Sequence, residues 1–477
     1  MYRNSIFNLV LIFLLGSFLL ACKPLELGSN RAIQDLPKHY NQVNDSSAVN
    51  LLNWRTFFED SVLVNLIETA LKNNYRLLSG AQKIEIAQAE LHLNKGLLFP
   101  NISASIMPAQ RKFGLYTMDG AGNASTFMTP GQIVPTHLPD FFMGFQTSWE
   151  ADVWGKLRNR KKASVLKYMA SKDGLNLLNT QLIAEVANAY YGLLALDTEL
   201  DIVRTASSIQ KEAYEIIKIQ KEAAAATELA VKQFEAQYLN SLALEVDVKQ
   251  QIIVQENFIH ALLGRYPQEM PRDKALFLNN KEQLLISGVP SDLLSNRPDL
   301  REAALQVEAA KLNVKAANAA FYPSFAINGT VGFQAFSTQY LFLNPASFAY
   351  ALIGNLTAPL INRSAIKSQF KIANANQLEA LYNYQKAILD AYVEVNNELA
   401  AIKNLAEIHQ HKSNEVNALV QATEIAKDLY MTGSANYLEV LIAQNSSLKA
   451  RIELVEVRKK QLQTRVNVYK ALGGGWK

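Results

Sequence analysis

The chain has 477 residues, with 47 Lys and Arg against 43 Asp and Glu and a formal net charge of +4. That is close to neutral for its size, and no basic run suggests a nucleic-acid partner. The single Cys excludes an intramolecular disulfide, and past the N-terminus no apolar run approaches the about 20 residues of a spanning helix, so any membrane crossing there must use strands.

The first 22 residues read as an export signal, with Arg3 as the positive start and an almost wholly apolar stretch from Phe7 to Leu20. Leu19-Leu20-Ala21-Cys22 is similar to the lipobox of bacterial lipoproteins, where the Cys becomes the first mature residue and carries acyl chains. Residues 1–21 are then the signal peptide and Cys22 the lipidation site. Leu is less usual than Ala or Ser at the second lipobox position, and the alternative is an ordinary signal or anchor with a buried Cys. By resemblance to enterobacterial lipoproteins, Lys23 in place of Asp permits transport onward to the outer membrane. Residues 22–53, with Pro24, Gly28, Pro37 and Asn44-Asp45, read as an extended tether.

From Trp54 to Asn73 the spacing of Leu63, Leu66, Ile67, Ala70 and Leu71 is helical. A second helix is expected from about Leu77 to Phe99, where Pro100 stops it. Between 101 and 152 the period becomes two. Phe141, Met143, Phe145, Thr147, Trp149 and Ala151 face one way; Phe142, Gly144, Gln146, Ser148 and Glu150 face the other. The same alternation returns at 324–358, where Phe325, Ile327, Gly329, Val331 and Phe333 alternate with Ala326, Asn328, Thr330, Gly332 and Gln334, and Phe348, Tyr350, Leu352, Gly354 and Leu356 follow a turn near Asn344-Pro345. Strands of about ten residues with one apolar face are the transmembrane β-barrel pattern; a soluble hairpin packed on a core shares it.

Lys156 to Glu222 holds no Pro and predicts one helix about 100 Å long. Leu182, Val186, Ala189, Leu193, Leu196, Leu200 and Val203 form a heptad seam that needs a partner helix. The pattern breaks at 223–227 and resumes from Glu228 to Leu263. Residues 265–296, with Pro267, Pro271, Gly288 and Pro290, form a mixed equatorial insert. Arg297-Pro298-Asp299 opens a helix over 297–322, and a helical hairpin over 365–473 turns at Met431-Thr432-Gly433-Ser434.

The chain repeats itself. Residues 156–264 align with 365–473 at a constant offset of 209: Glu185-Val186 matches Glu394-Val395, and Leu263-Gly264 matches Leu472-Gly473. Upstream, Ala81, Glu85 and Pro100 match Ala304, Glu308 and Pro323 at an offset of 223, which confines a 14-residue difference to between Pro100 and Lys156. The domain reading is repeat one over 54–264, the insert over 265–296 and repeat two over 297–477, two similar halves suited to building a tube.

In this order, several short motifs resemble the TolC-like outer-membrane efflux factors, lipoprotein branch typified by OprM and NodT. They are Trp54, Phe57 and Asp60; Ser148-Trp149-Glu150-Ala151-Asp152 with Gly155; Asn296-Arg297-Pro298-Asp299-Leu300; Phe321-Tyr322-Pro323; Tyr437-Leu438-Glu439-Val440-Leu441; and the ending Ala471-Leu472-Gly473-Gly474-Gly475-Trp476. The resemblance implies a homotrimer, each protomer giving four strands to a twelve-stranded transmembrane β-barrel continued into a long periplasmic α-helical barrel. It implies an outer-membrane channel of a tripartite efflux system exporting small molecules such as drugs, with a periplasmic adaptor and a proton-driven inner-membrane pump of the RND type as partners. A type I secretion duct remains an alternative, as does a structural coiled-coil lipoprotein, although a spacer has no need of alternating strands.

The sequence shows no catalytic constellation, no cofactor motif and no metal-ligand spacing; His409 and His411, two apart on a helix, do not share a face. The resemblance makes the hairpin tip the gate. Gly433 matches the Gly of the turn, with Ser434 beside it, Tyr430 the Tyr near the closed aperture, and Glu439, next to Leu438, an acid ringing the constriction. The family's second acid is Ile442 here and its basic position Ala435. In repeat one the Gly position is Ala224 and the acidic position Ala230, so the polar latch is mostly missing.

Overall fold

The computed structural model describes residues 53–272, 289–358 and 363–476, together with Pro37, Tyr40, Lys274 and Phe277. The expected signal peptide, the lipidation site Cys22, most of the tether and the centre of the insert lie outside the described residues.

Helices α1 (Trp54–Phe57) and α2 (Ser61–Asn73) divide the segment that the spacing of its apolar residues had made one helix. Asp60 causes the break: its carboxylate accepts from the backbone N–H groups of Val62, at 2.7 Å, and Leu63, so the chain must leave helical geometry just before it. The Tyr190 hydroxyl donates to the same carboxylate at 2.8 Å and locks the cap to the core. Asn74 caps α3 (Tyr75–Gly96) in the same way.

Strand β1 (Asn101–Arg111) is followed by a loop with a short helix, α4 (Met118–Asn123), and a small hairpin, β2 (Phe127–Thr129) and β3 (Gln132–Ile133). Then come β4 (Leu138–Ala151), the 67-residue α5 (Lys156–Glu222) and α6 (Glu228–Leu262). After the insert, α7 (Leu293–Asn296) and α8 (Pro298–Ala319) lead to β5 (Ser324–Ala335) and β6 (Phe348–Thr357), and α9 (Arg363–Met431) and α10 (Tyr437–Ala471) complete the chain.

The long strands form one antiparallel sheet in the order β1-β4-β5-β6. Its register gathers the apolar side chains. Ile106 pairs with Met143, and Met143 with Phe333; Ala104 pairs with Phe145, Phe145 with Val331, and Val331 with Tyr350. Directly paired residues share a face, so one face is a band of aliphatic and aromatic side chains four strands wide. The other carries Ser103, Gln146, Asn328 and Thr330. Among the described residues, β1 and β6 each have one unpaired edge.

The helices keep the order of the strands they extend: α3 lies on α5, α5 on α8, and α8 on α9. Further from the sheet, α6 and α10 flank α5, and α10 lies on α9. Thus α5 and α9 run the full height, whereas α3 with α6, and α8 with α10, meet near end to end. The two joints are alike. Asn74 Nδ2 donates to the Leu262 carbonyl at 2.8 Å, and at the matching place Arg297 Nη1 donates to the Ala471 carbonyl at 2.9 Å. Gly264 (φ +65°) and Gly473 (φ +89°) end α6 and α10, and a Cβ on either would lie within 2.4–2.5 Å of the Asn73 or Asn296 carbonyl oxygen, so only Gly fits.

The main core sits at these joints. Leu182, Val186, Ala189, Leu193 and Leu200 of the heptad seam are buried in it, with Phe57 stacked on Tyr469 at 4.2 Å. A second cluster holds Leu293, Leu300, Val395 and Leu472. Tyr40 is buried in it and stacked on Tyr392, so this part of the segment expected as a tether is docked on the body.

Candidate functional site

The end farthest from the sheet is built from the turns at 223–227 and 432–436. Both close alike: the Ala225 N–H donates to the Gln220 carbonyl and the Ser434 N–H to the Leu429 carbonyl, each at 2.8 Å. Both pass through one left-handed residue, Ala224 (φ +62°) and Gly433 (φ +76°). Both exit through a capped helix: Thr227 accepts from the Ala230 N–H, and Asn436 from those of Leu438 and Glu439.

An Ala held left-handed costs about 1–2 kcal/mol over Gly, so the first turn stores strain that the second lacks. Ala224→Gly should tighten that turn by about 1 kcal/mol, and hydrogen exchange of the Ala225 amide should slow about fivefold. No change would show that the turn is not limited by Ala224.

Behind the turns lies a small apolar cluster of Ile217, Ala230, Val231 and Phe234, with Tyr430, Tyr437 and Leu441 packed on it. The Tyr430 hydroxyl donates to Gln220 Oε1, joining the second hairpin to the first. Burial pushes the Tyr430 pKa up, keeping it a neutral donor. Lys221 pairs with Glu228 across the first tip, where repeat two has Tyr430 and Tyr437. The residues singled out by resemblance therefore separate. Tyr430 faces the other hairpin, whereas Gly433, Ser434, Leu438 and Glu439 are exposed. Ala230, matching Glu439, is fully buried, and so the first repeat has no room for an acid there. Gln220 and Phe234 were not singled out in the sequence, because a Gln or Phe on a helix flank gives no signal until its neighbour is placed.

Toward the sheet, α3, α5, α8 and α9 enclose a groove of about 720 Å³ lined by Lys83, Lys167, Ser171, Glu302, Gln306 and Asn376, among others. Gly174 makes room for Glu302, whose Oε2 lies 3.1 Å from where a Cβ would be. Burial raises the pKa of Glu302. A helical groove that carries polar side chains, below a sheet with one polar face, suits the passage of solutes, and among the described residues no group of His, Cys, Asp and Glu suits a metal ion.

The model of the family described as outer membrane efflux protein matches residues 66–265 and 289–474. The chain belongs to the outer membrane efflux protein family. It is 28% identical over 430 residues, 89% of this chain and 86% of the relative, to the toluene efflux pump outer membrane protein TtgF of Pseudomonas putida. It is 27% identical to the probable outer membrane lipoprotein SilC of Salmonella typhimurium along the whole of both chains. Among solved structures, the open state of the Neisseria gonorrhoeae MtrE outer membrane channel superposes with a TM-score of 0.81 at 23% identity, over 96% of this chain and 99% of that one. A membrane protein from Pseudomonas aeruginosa gives 0.84 at 23% identity, over 94% and 100%. The protein is thus an outer-membrane efflux channel component, a transporter rather than an enzyme, and its fold is that of the TolC-like channels with their helical barrel.

Proposed function

We propose that three copies of the chain close into a twelve-stranded barrel across the outer membrane, whose helices continue it as a duct through the periplasm. The observation that carries this reading is the register that unites four strands in one apolar band while leaving, among the described residues, both outer edges unpaired. Lipid cannot satisfy open edges, and closing on copies of itself removes them. The polar face then becomes the lumen wall, joined to the groove between the helices. Cys22, in this reading, adds an acyl anchor.

The duct carries no energy source, so a periplasmic adaptor and an inner-membrane pump, proton-driven and of the RND type, complete the system. The adaptor docks at the tips. The names of relatives mention toluene, cations and pyoverdine, and low-molecular-weight solutes are the proposed cargo here. Deleting the gene should sensitise cells to toxic small molecules and leave secreted proteins unchanged; loss of a secreted polypeptide with unchanged sensitivity would favour the type I secretion duct. Mass spectrometry of the mature N-terminus tests the anchor, and an unmodified terminus would remove it.

The tip is the proposed gate. The strands are tied edge to edge, whereas helices meeting through a small apolar cluster and one Tyr–Gln bond can shift at modest cost. Tyr430→Phe removes a hydrogen bond of about 1 kcal/mol and should raise the ratio of open to closed channels about fivefold in planar bilayers. Conductance at the wild-type closed level would place the gate elsewhere.

A further inference from the structure

Just below the sheet, the last turns of α3 and α8 and the first turns of α5 and α9 stand side by side. The two sides of this helical layer can be told apart. One lines the groove, and its stripe on α5, Lys167, Ser171 and Gly174, extends backwards at helical spacing to Arg160 and Lys156. Lys156 pairs with Glu150 at 2.5 Å, and Glu150 lies in the polar set of the sheet. The groove side therefore continues the polar face, and the opposite side continues the apolar face.

The opposite side carries lysines. Lys161 and Lys162 stand nine residues before Ala170 and Ser171 of the groove, Lys315 nine after Gln306, and Lys367 and Lys371 nine before Asn376 and Ala380. Nine residues are two and a half helical turns, which points each lysine away from the groove. All five lie within about 12 Å of a helix end at the sheet, at 1.5 Å per residue. Four are exposed and Lys161 is half-buried. Among the described residues none of the five makes an ion pair; two acids of the same layer are engaged, Asp152 with Arg158 at 3.2 Å and Glu308 with Lys311 at 2.6 Å, and Glu90 of α3 stands seven residues after Lys83 of the groove and so on the groove side. The start of α9 has no acid before Glu379. At the same height Trp154 stacks on Tyr322 at 4.9 Å, and Trp149 projects from the apolar face and donates to the Leu98 carbonyl, amphipathic rings of the kind that settle at a membrane–water boundary.

We infer that Lys161, Lys162, Lys315, Lys367 and Lys371 form an outward-facing collar that binds the phosphates of anionic phospholipids in the periplasmic leaflet of the outer membrane. This rests on the reading that the apolar face of the sheet meets lipid. The ammonium groups sit where headgroup phosphates lie, with no carboxylate of the described chain within ion-pair distance, and threefold repetition would close the collar into a ring.

The test uses the purified full-length protein in detergent and in nanodiscs, with bound lipid read by native mass spectrometry. Phosphatidylglycerol should be retained over phosphatidylcholine, and raised salt should weaken the preference. Each lysine changed to Gln should weaken phosphatidylglycerol binding about fivefold, and the combined K161Q, K162Q, K315Q, K367Q and K371Q variant should lose the preference while melting at the wild-type temperature without lipid. K211Q with K218Q, near the tips, should keep it. Equal retention of both lipids, a preference that survives the combined variant, or displacement by millimolar inorganic phosphate would overturn the assignment. A protein that stays soluble without detergent and does not enter nanodiscs would instead sink the lipid-facing reading of the sheet; insertion without lipid preference sinks only the collar.

Discussion

Arginine at Val331 should cost the folded protein about 2–4 kcal/mol, the depth-dependent cost of that side chain on the lipid face of a β-barrel, whereas arginine at Thr330 should cost much less. Val331 lies between Phe145 and Tyr350 in the middle of the apolar band; Thr330 lies between Gln146 and Ala351 on the other face. The two positions share backbone, strand and depth, so the comparison isolates the face. Thermal unfolding of both variants in lipid checks it. Equal losses at the two positions would mean that the apolar face does not meet hydrocarbon.

Arg297→Ala should cost about 3 kcal/mol, the lower end of what removing one partner of a buried ion pair costs, because Glu394 keeps some contact with water. The Arg297 side chain is 12% exposed and binds Glu394 at 2.7 Å and Asp299 at 2.8 Å, besides the Ala471 carbonyl. One side chain therefore holds together the beginning of α8, the middle of α9 and the end of α10. Burial pushes the Glu394 pKa up, but Arg297 and Lys470 outweigh it and hold the carboxyl below its usual range. A carboxyl whose folded pKa is depressed stabilises at neutral pH and loses that contribution as pH falls through its titration. Wild type should accordingly lose stability on acidification more steeply than Arg297→Ala, as urea midpoints at neutral and mildly acidic pH would show. Parallel pH dependence would mean that the pair contributes little.

The parts of the fold legible in the sequence were those with a long, uninterrupted period. The heptad seam from Leu182 to Val203 is buried as a stripe save for the half-buried Leu196, and helix α5 spans Lys156–Glu222 because nothing in that run breaks a helix. The alternating residues of 141–151, 325–333 and 348–356 fall on two faces because strand side chains alternate. The 14 extra residues of the first repeat correspond to its longer strand-to-strand loop, 112–137 against 336–347. Contacts between distant residues were not legible. Tyr430 meets Gln220 across 210 positions, and Arg297 meets Glu394 and Ala471 across 97 and 174. Neither pairing has a local pattern, since each exists only once the hairpins are laid against one another. The cap at Asp60 was readable in principle, but the apolar spacing around it is continuous and outweighed the capping signal.

The joints where α3 meets α6 and α8 meets α10 carry a mechanical consequence. Two of the four helical columns are single rods from sheet to tip, and two are spliced at mid-height by a carbonyl, a glycine and one polar side chain. A spliced column can swivel below its joint while the part above stays fixed to its strand. Torque applied at the tips would thus be taken up in part at the splices and along the flanks of α5 and α9 before the rest reaches the hydrogen-bonded strands through the continuous rods. The lower halves of the two spliced columns can turn against the continuous rods α5 and α9, which stay joined to the sheet.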